Sequence, residues 1–149
     1  TNLMRKINYI VVHCSATREG CTLTSEVLEA EHRRRGFRTT GYHYYIRRDG
    51  TVLGTRSLEL PGAHCRGHNK YSIGICYEGG LDARGNPKDT RTPEQRSALH
   101  LLVYQLLQQF RNARVCGHRD LSPDLDGDGT VEPWEWVKQC PCFEVSKEF

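Results

Sequence analysis

Residues 7–14 read Ile-Asn-Tyr-Ile-Val-Val-His-Cys. A compact apolar run rich in β-branched residues predicts a buried strand over 7–12, with His13 and Cys14 following it. Alternation along a strand puts those two side chains on opposite faces. Two other short stretches lead to residues of the same chemical kind. Arg114–Cys116 predicts a brief strand running into His118, and Cys140 lies in Lys-Gln-Cys-Pro-Cys-Phe at 138–143. Two imidazoles and one thiolate form a zinc ligand set. Three protein ligands leave the fourth tetrahedral position open, as catalytic rather than structural sites do. The residues by themselves also permit a plainer reading, with His13 and His118 as hydrogen-bonded structural histidines, since neither HExxH nor CxxC is present.

Outward from this strand the elements alternate. Thr22 or Thr24 can cap a helix running to about Arg35, with Leu23, Val27, Leu28 and Ala30 on its apolar side and Gly36 as its stop. Tyr42–Arg47 and Thr51–Leu53 flank Arg48-Asp49-Gly50, the pattern of a hairpin. Tyr71–Tyr77 predicts a further strand, and the polar stretch 81–91 a loop. Thr92-Pro93-Glu94-Gln95 combines a cap, a proline at the first helical position and a capping box. Leu99, Leu102, Val103, Leu106 and Phe110 then recur at helical spacing as a core stripe. A last short helix is expected near Pro133. The chain's 149 residues suit one core. The expected class is α/β: a single domain over 1–149 with a central mixed β-sheet flanked by helices, and a zinc site in a surface groove.

Apolar residues make up 37% of the chain and charged residues 26%, with a net charge of +3, which describes an ordinary globular protein and gives no sign of nucleic-acid binding. The Arg33-Arg34-Arg35 triplet falls at a helix end, where cations favour the dipole. A weakly basic surface suits a polyanionic target such as a bacterial cell wall. No apolar run approaches the ~20 residues of a membrane span. Thr1-Asn2-Leu3 ahead of Met4 reads as a non-native lead-in, with synthesis in the cytoplasm and no signal peptide. Seven cysteines is an odd count, which argues against a fully paired framework. Cys76 and Cys116 read as buried small hydrophobes, and a reducing compartment is expected; one or two disulfides remain open.

Taken together, VVHCSAT (11–17), GYHYYIRRDGTV (41–52), GAHCRGHNKYSIGIC (62–76), TPEQ (92–95), GHRD (117–120) and KQCPCF (138–143) resemble the zinc-dependent N-acetylmuramoyl-L-alanine amidases of the phage-lysozyme type. These share a fold with the peptidoglycan recognition proteins. The motifs are collinear over nearly the whole chain. The resemblance implies that His13, His118 and Cys140 hold zinc and that Tyr42 and Lys138 are the catalytic side chains beside it. His64 and Asn69 fall on substrate-groove positions, and Ser72 on a groove or framework position. From the residues alone, Tyr42 reads as a strand aromatic and Lys138 as a solvated helix end. His43 is expected to point away from Tyr42, and His32, His68 and His100 to have surface or structural roles.

One segment departs from that pattern. Residues 124–135 read DLDGDGTVEPWE and fit the calcium-loop pattern D-x-[DN]-x-[DN]-G-x5-E. Asp124, Asp126, Asp128 and Glu135 would supply carboxylates and Thr130 a carbonyl. The competing reading is an acidic surface loop that binds nothing, and Pro123 argues against an incoming EF-hand helix.

The resemblance implies a monomeric hydrolase of bacterial peptidoglycan, a phage or prophage endolysin that cuts the bond between N-acetylmuramic acid and L-alanine. The alternatives are a non-catalytic peptidoglycan-binding module and a regulatory binder. Loss of the metal cysteine marks loss of activity in the recognition-protein branch, so the presence of Cys140 favours catalysis.

Overall fold

The strand quoted above is real but lies two residues later, at β1 (Tyr9–Cys14), and its last five residues are buried. A computed structural model describes residues 5–149. The reading of Met4 as the start lies outside the described residues. In chain order the other elements are β2 (Thr17–Arg18), α1 (Ser25–Arg34), β3 (Tyr44–Ile46), β4 (Val52–Gly54), β5 (Ser72–Tyr77), β6 (Gly80–Leu81), α2 (Pro93–Gln109) and β7 (Arg114–Gly117).

Five strands form a sheet in the order β4-β3-β5-β1-β7. β1 runs parallel to β5 and β7, β3 runs parallel to β5, and β4 returns antiparallel to β3 as the Asp-Gly hairpin. The sheet is therefore mixed. β2 and β6 pair separately as a two-stranded ribbon, so the polar 81–91 stretch begins in a strand.

The pleat sorts the core onto two faces. Ile10, Val12, Ile73, Ile75 and Tyr77 meet Leu99, Leu102, Val103 and Leu106 of α2. Tyr45 and Cys76 meet Leu28 of α1 on the other face. Helix α2 starts as expected, with the Thr92 hydroxyl accepting from Gln95 N–H and the Gln95 side chain accepting from Thr92 N–H. Gln95 is fully buried, and its amide nitrogen also donates to the carbonyls of Ile46 and Glu78.

Two helix expectations need correction. In α1 the inward residues are Leu28 and His32, one turn apart, whereas Val27 is 47% exposed. The hydrophobic pattern misjudged the helix phase because a histidine fills the second inward position. Near Pro133 there is only a 3-10 turn, Pro133–Glu135, and residues 138–140 lie beyond it in irregular backbone. Lys138 is thus not at a helix end. The three-residue turn ends at Trp136, whose extended backbone cannot continue a helix.

Glu78 ties the layers together at the end of β5. It is 1% exposed and accepts from Leu23 N–H, Arg48 N–H and Arg47 Nε. Burial alone would raise its pKa, but the Arg47 guanidinium and the two backbone donors hold it below the usual carboxylate value. A depressed folded pKa means stability that is present above the unfolded pKa and lost as pH falls through the folded one. Glu78→Gln is expected to lower unfolding free energy near neutrality by ~1–3 kcal/mol. It should also flatten the acid limb below about pH 4.5. Urea midpoints at neutral and acidic pH check both; equal midpoints for the two proteins would refute this role.

Candidate metal centre and active site

Because β1 and β7 run parallel, both deliver their ends to the same edge of the sheet. His13 lies at the end of β1 and is 1% exposed. His118 follows β7 directly and opens a 3-10 turn. Their rings are 4.6 Å apart. Cys140 reaches them from far along the chain, in a turn held by three bonds. Arg119 N–H donates to the Cys140 carbonyl at 2.9 Å, and Cys142 N–H donates to the Gln139 carbonyl at 2.8 Å. The Tyr77 hydroxyl donates to the Pro141 carbonyl at 2.6 Å. The ligand atoms of His13, His118 and Cys140 all lie within 4.8 Å of one another.

The donor chemistry of this cluster fits zinc, a borderline-soft ion that takes imidazole nitrogen and thiolate sulfur. Burial, then the neighbouring His64, His118 and Lys138, hold the His13 pKa well below its ordinary value, which favours the neutral imidazole a metal needs. The Cys140 sulfur accepts a hydrogen bond from Cys14 N–H at 3.1 Å.

His64 seats against His13, Nδ1 to Nε2 at 2.8 Å, with its own Nε2 at 3.2 Å from the Ser72 hydroxyl. Burial, followed by His43 and His118, pushes its pKa down to about 3. The ring occupies room that a side chain at residue 74 would need. A Cβ on Gly74 would stand 2.7 Å from the imidazole, and Gly62 leaves similar room on another side. Asn69 lines the same groove, but its Oδ1 accepts from the N–H groups of His64 and Cys65, so it shapes the loop that carries His64.

Tyr42 lies 5.1 Å from His13, ring to ring. Burial, then the thiols of Cys76, Cys140 and Cys14, raise its pKa well above the ordinary phenol value, so it stays protonated. Lys138 is exposed and lines both cavities at the site. One is a groove of about 940 Å3 bordered by His64, Asn69, His118, Arg35, Arg66 and Lys138. The other, about 470 Å3, contains His13, Tyr42 and Cys140 and shares His64, His118 and Lys138 with the groove.

Three supporting residues carried no signal of their own in the sequence. His43 is fully buried, accepting from Gly74 N–H and donating to the Leu60 carbonyl, and burial lowers its pKa to about 4. His32 accepts from Gly41 N–H at 2.7 Å, fixing the backbone just before Tyr42. Arg119 bonds the Cys140 turn and stacks on Trp136, its guanidinium 3.9 Å from the ring centroid. His100 is half-exposed and packs against Phe149, and His68 meets Tyr9 edge-on.

The sequence profile described as N-acetylmuramoyl-L-alanine amidase matches residues 3–141. The chain belongs to the N-acetylmuramoyl-L-alanine amidase family. Its reaction is therefore hydrolysis of the amide between N-acetylmuramic acid and L-alanine in peptidoglycan. An endolysin of Klebsiella phage KP32 is 35% identical over 143 residues, 96% of this chain and 85% of the phage protein. The solved N-acetylmuramoyl-L-alanine amidase LysC from Clostridium intestinale URNW superposes with a TM-score of 0.74 at 26% identity, covering 99% of this chain and 84% of that one. PGRP-SA from Apis mellifera shares the fold, with a TM-score of 0.72 at 22% identity over 97% of this chain and 82% of its own. No described helix is long and apolar enough to cross a membrane.

The acidic loop is a second cluster. Carboxylate oxygens of Asp124, Asp126, Asp128 and Glu135 lie within 4.8 Å of one another. Glu135 is 2% exposed and accepts from the N–H groups of Leu125 and Asp126 through one oxygen and from Glu132 N–H through the other. Thr130 is exposed, and its N–H donates to Asp128 at 2.9 Å. Hydrogen bonding to Asp128, then to Glu135, pushes Glu132 up to about 8.

Proposed function

We propose that the amidase site works with a zinc ion held by His13, His118 and Cys140, and that the chain serves as a phage or prophage endolysin. The observation that carries the zinc reading is the convergence of two imidazoles and one sulfur at a sheet edge that opens into a groove. Similarity to the Klebsiella phage endolysin supports the setting.

A zinc ion there supplies Lewis acidity toward the scissile carbonyl and lowers the pKa of water. The protein side chains do the rest. Lys138 Nζ donates to the carbonyl oxygen as negative charge develops on it. Tyr42 Oη, which stays protonated, donates to the same oxygen or orients the attacking water. His64 borders the substrate groove, and its contact with His13 fixes the orientation of that ring. Asn69 holds the His64 loop against the groove. The basic lining of Arg35, Arg66 and Lys138 favours an anionic stem peptide.

The purified chain is expected to carry about one zinc and to release new amino termini from cell walls, losing both as Cys140→Ser. Lys138→Ala and Tyr42→Phe should fold normally, keep the metal and lose ~100- to 1000-fold in turnover. Metal analysis beside a wall-solubilisation assay checks this. Release of reducing sugar, or near-normal turnover in both variants, would overturn the assignment.

We also infer that the 124–135 loop takes a calcium ion, on the strength of four converging carboxylates in the calcium-loop order. Through Trp136 and Arg119 the ion would stiffen the segment leading to Lys138 and Cys140. Calorimetry is expected to detect calcium binding that Asp126→Ala abolishes, with a lower Tm in the variant. The reading fails if calcium produces no heat, or if the variant unfolds as the parent does.

A further inference from the structure

Cys14 and Cys142 bring their sulfurs to 3.9 Å from opposite ends of the chain. Neither belongs to the clustered metal-ligand residues, and the amidase chemistry uses neither thiol. Cys142 is not the only sulfur beside Cys14: the Cys140 sulfur accepts from Cys14 N–H at 3.1 Å and its side chain is the foremost influence raising the Cys14 thiol, whereas Cys21, Cys65, Cys76 and Cys116 make no sulfur–sulfur hydrogen bond among the described residues. A disulfide needs sulfurs about 2.05 Å apart, so closure requires about 1.9 Å of travel, within reach of a side-chain rotation.

The surroundings keep the pair face to face. A Cβ on Gly80 would stand 2.5 Å from the Cys14 sulfur, so the sulfur already fills the space beside that backbone. Cys142 sits in the turn fixed by its own N–H bond to Gln139 and by the Tyr77–Pro141 bond. Phe143, the next residue, is anchored in the core. Both cysteines line the 470 Å3 cavity, and Cys142 is the more exposed of the two, so a small oxidant entering there meets Cys142 first.

We propose that Cys14 and Cys142 form a reversible disulfide in an oxidising environment, tethering the strand that presents His13 to the turn that presents Cys140. The reaction is exchange with a disulfide oxidant. The Cys142 thiol, held protonated by its hydrogen bond to Cys14 and by burial, loses its proton as it attacks one oxidant sulfur and expels the first thiol. The Cys14 thiol then attacks the Cys142 sulfur, giving up its proton, and expels the second. One S–S bond forms and one breaks, and two protons and two electrons pass from the chain to the oxidant. The bridge spans 128 positions, so it removes much of the freedom of the unfolded chain. It also takes both neighbouring thiols out of competition with Cys140. The tether concerns the chain with or without metal and stands apart from the zinc assignment.

The full chain is treated with oxidised glutathione, alkylated, digested and mapped by mass spectrometry, with thermal unfolding followed before and after. The expected result is a loss of about 2 Da and a Cys14–Cys142 linked peptide. Tm should rise by at least about 5 °C and fall back with dithiothreitol. Cys142→Ser should show neither the link nor the oxidant-dependent rise. Full alkylation of Cys14 and Cys142, or a link that contains Cys140, overturns the proposal. So does a Cys14–Cys142 link with unchanged Tm. Should Cys142→Ser fail to fold, mapping of the unsubstituted chain decides alone.

Discussion

The parallel pairing of β1 with β5 is the constraint on which the site depends. Its register sets Val11 against Gly74 and His13 against Cys76, and both strands are buried. β7 adds to the other side of β1 in the same direction. Parallel strands finish together, so His13 and His118 leave the sheet at one edge. In open α/β sheets ligands bind outside the carboxyl ends of the strands, and both cavities lie there. Gly74 belongs to the same arrangement: an inward side chain at that register position would displace His64 and with it the partner of His13.

The third member of the proposed ligand set is held by different means. Cys140 belongs to no strand or helix, and its turn is fastened at three points to Arg119, Tyr77 and the backbone of Gln139. The proposed metal site is thus two strand ends closed by one stapled turn. The acidic loop sits between them in sequence, and Trp136 under the Arg119 guanidinium links that loop to the site. Turn and strand end meet again at Cys14, whose backbone bonds the Cys140 sulfur while its side chain faces Cys142.

The legible features were the local ones. The Thr92 cap, the Asp-Gly hairpin, the β-branched strand and the stripe of α2 each depend on residues a few positions apart, and each formed. The errors arose where a distant partner decides. Val27 looked like core, yet His32 turned inward to meet Gly41 N–H. The helix expected near Pro133 is a single 3-10 turn because its residues close the acidic cluster and pack toward Arg119. His43 gave no sign of its role, since its partners Leu60 and Gly74 come from a loop and a neighbouring strand.

Residue types and their order were enough to indicate the family and to nominate imidazole, thiol, phenol and ammonium groups, because chemical identity survives without coordinates. Seven cysteines offer seven candidate thiols that their chemistry alone does not separate; the KQCPCF motif singled out Cys140 by resemblance, with no account of how it reaches the two histidines. Folding supplies that account. Strand register fixed where His13 and His118 emerge, and a turn bonded to Arg119 and Tyr77 brought Cys140 to them. The same turn set Cys142 against Cys14. Contacts across 126 and 128 positions of chain depend on tertiary packing, which no local pattern encodes.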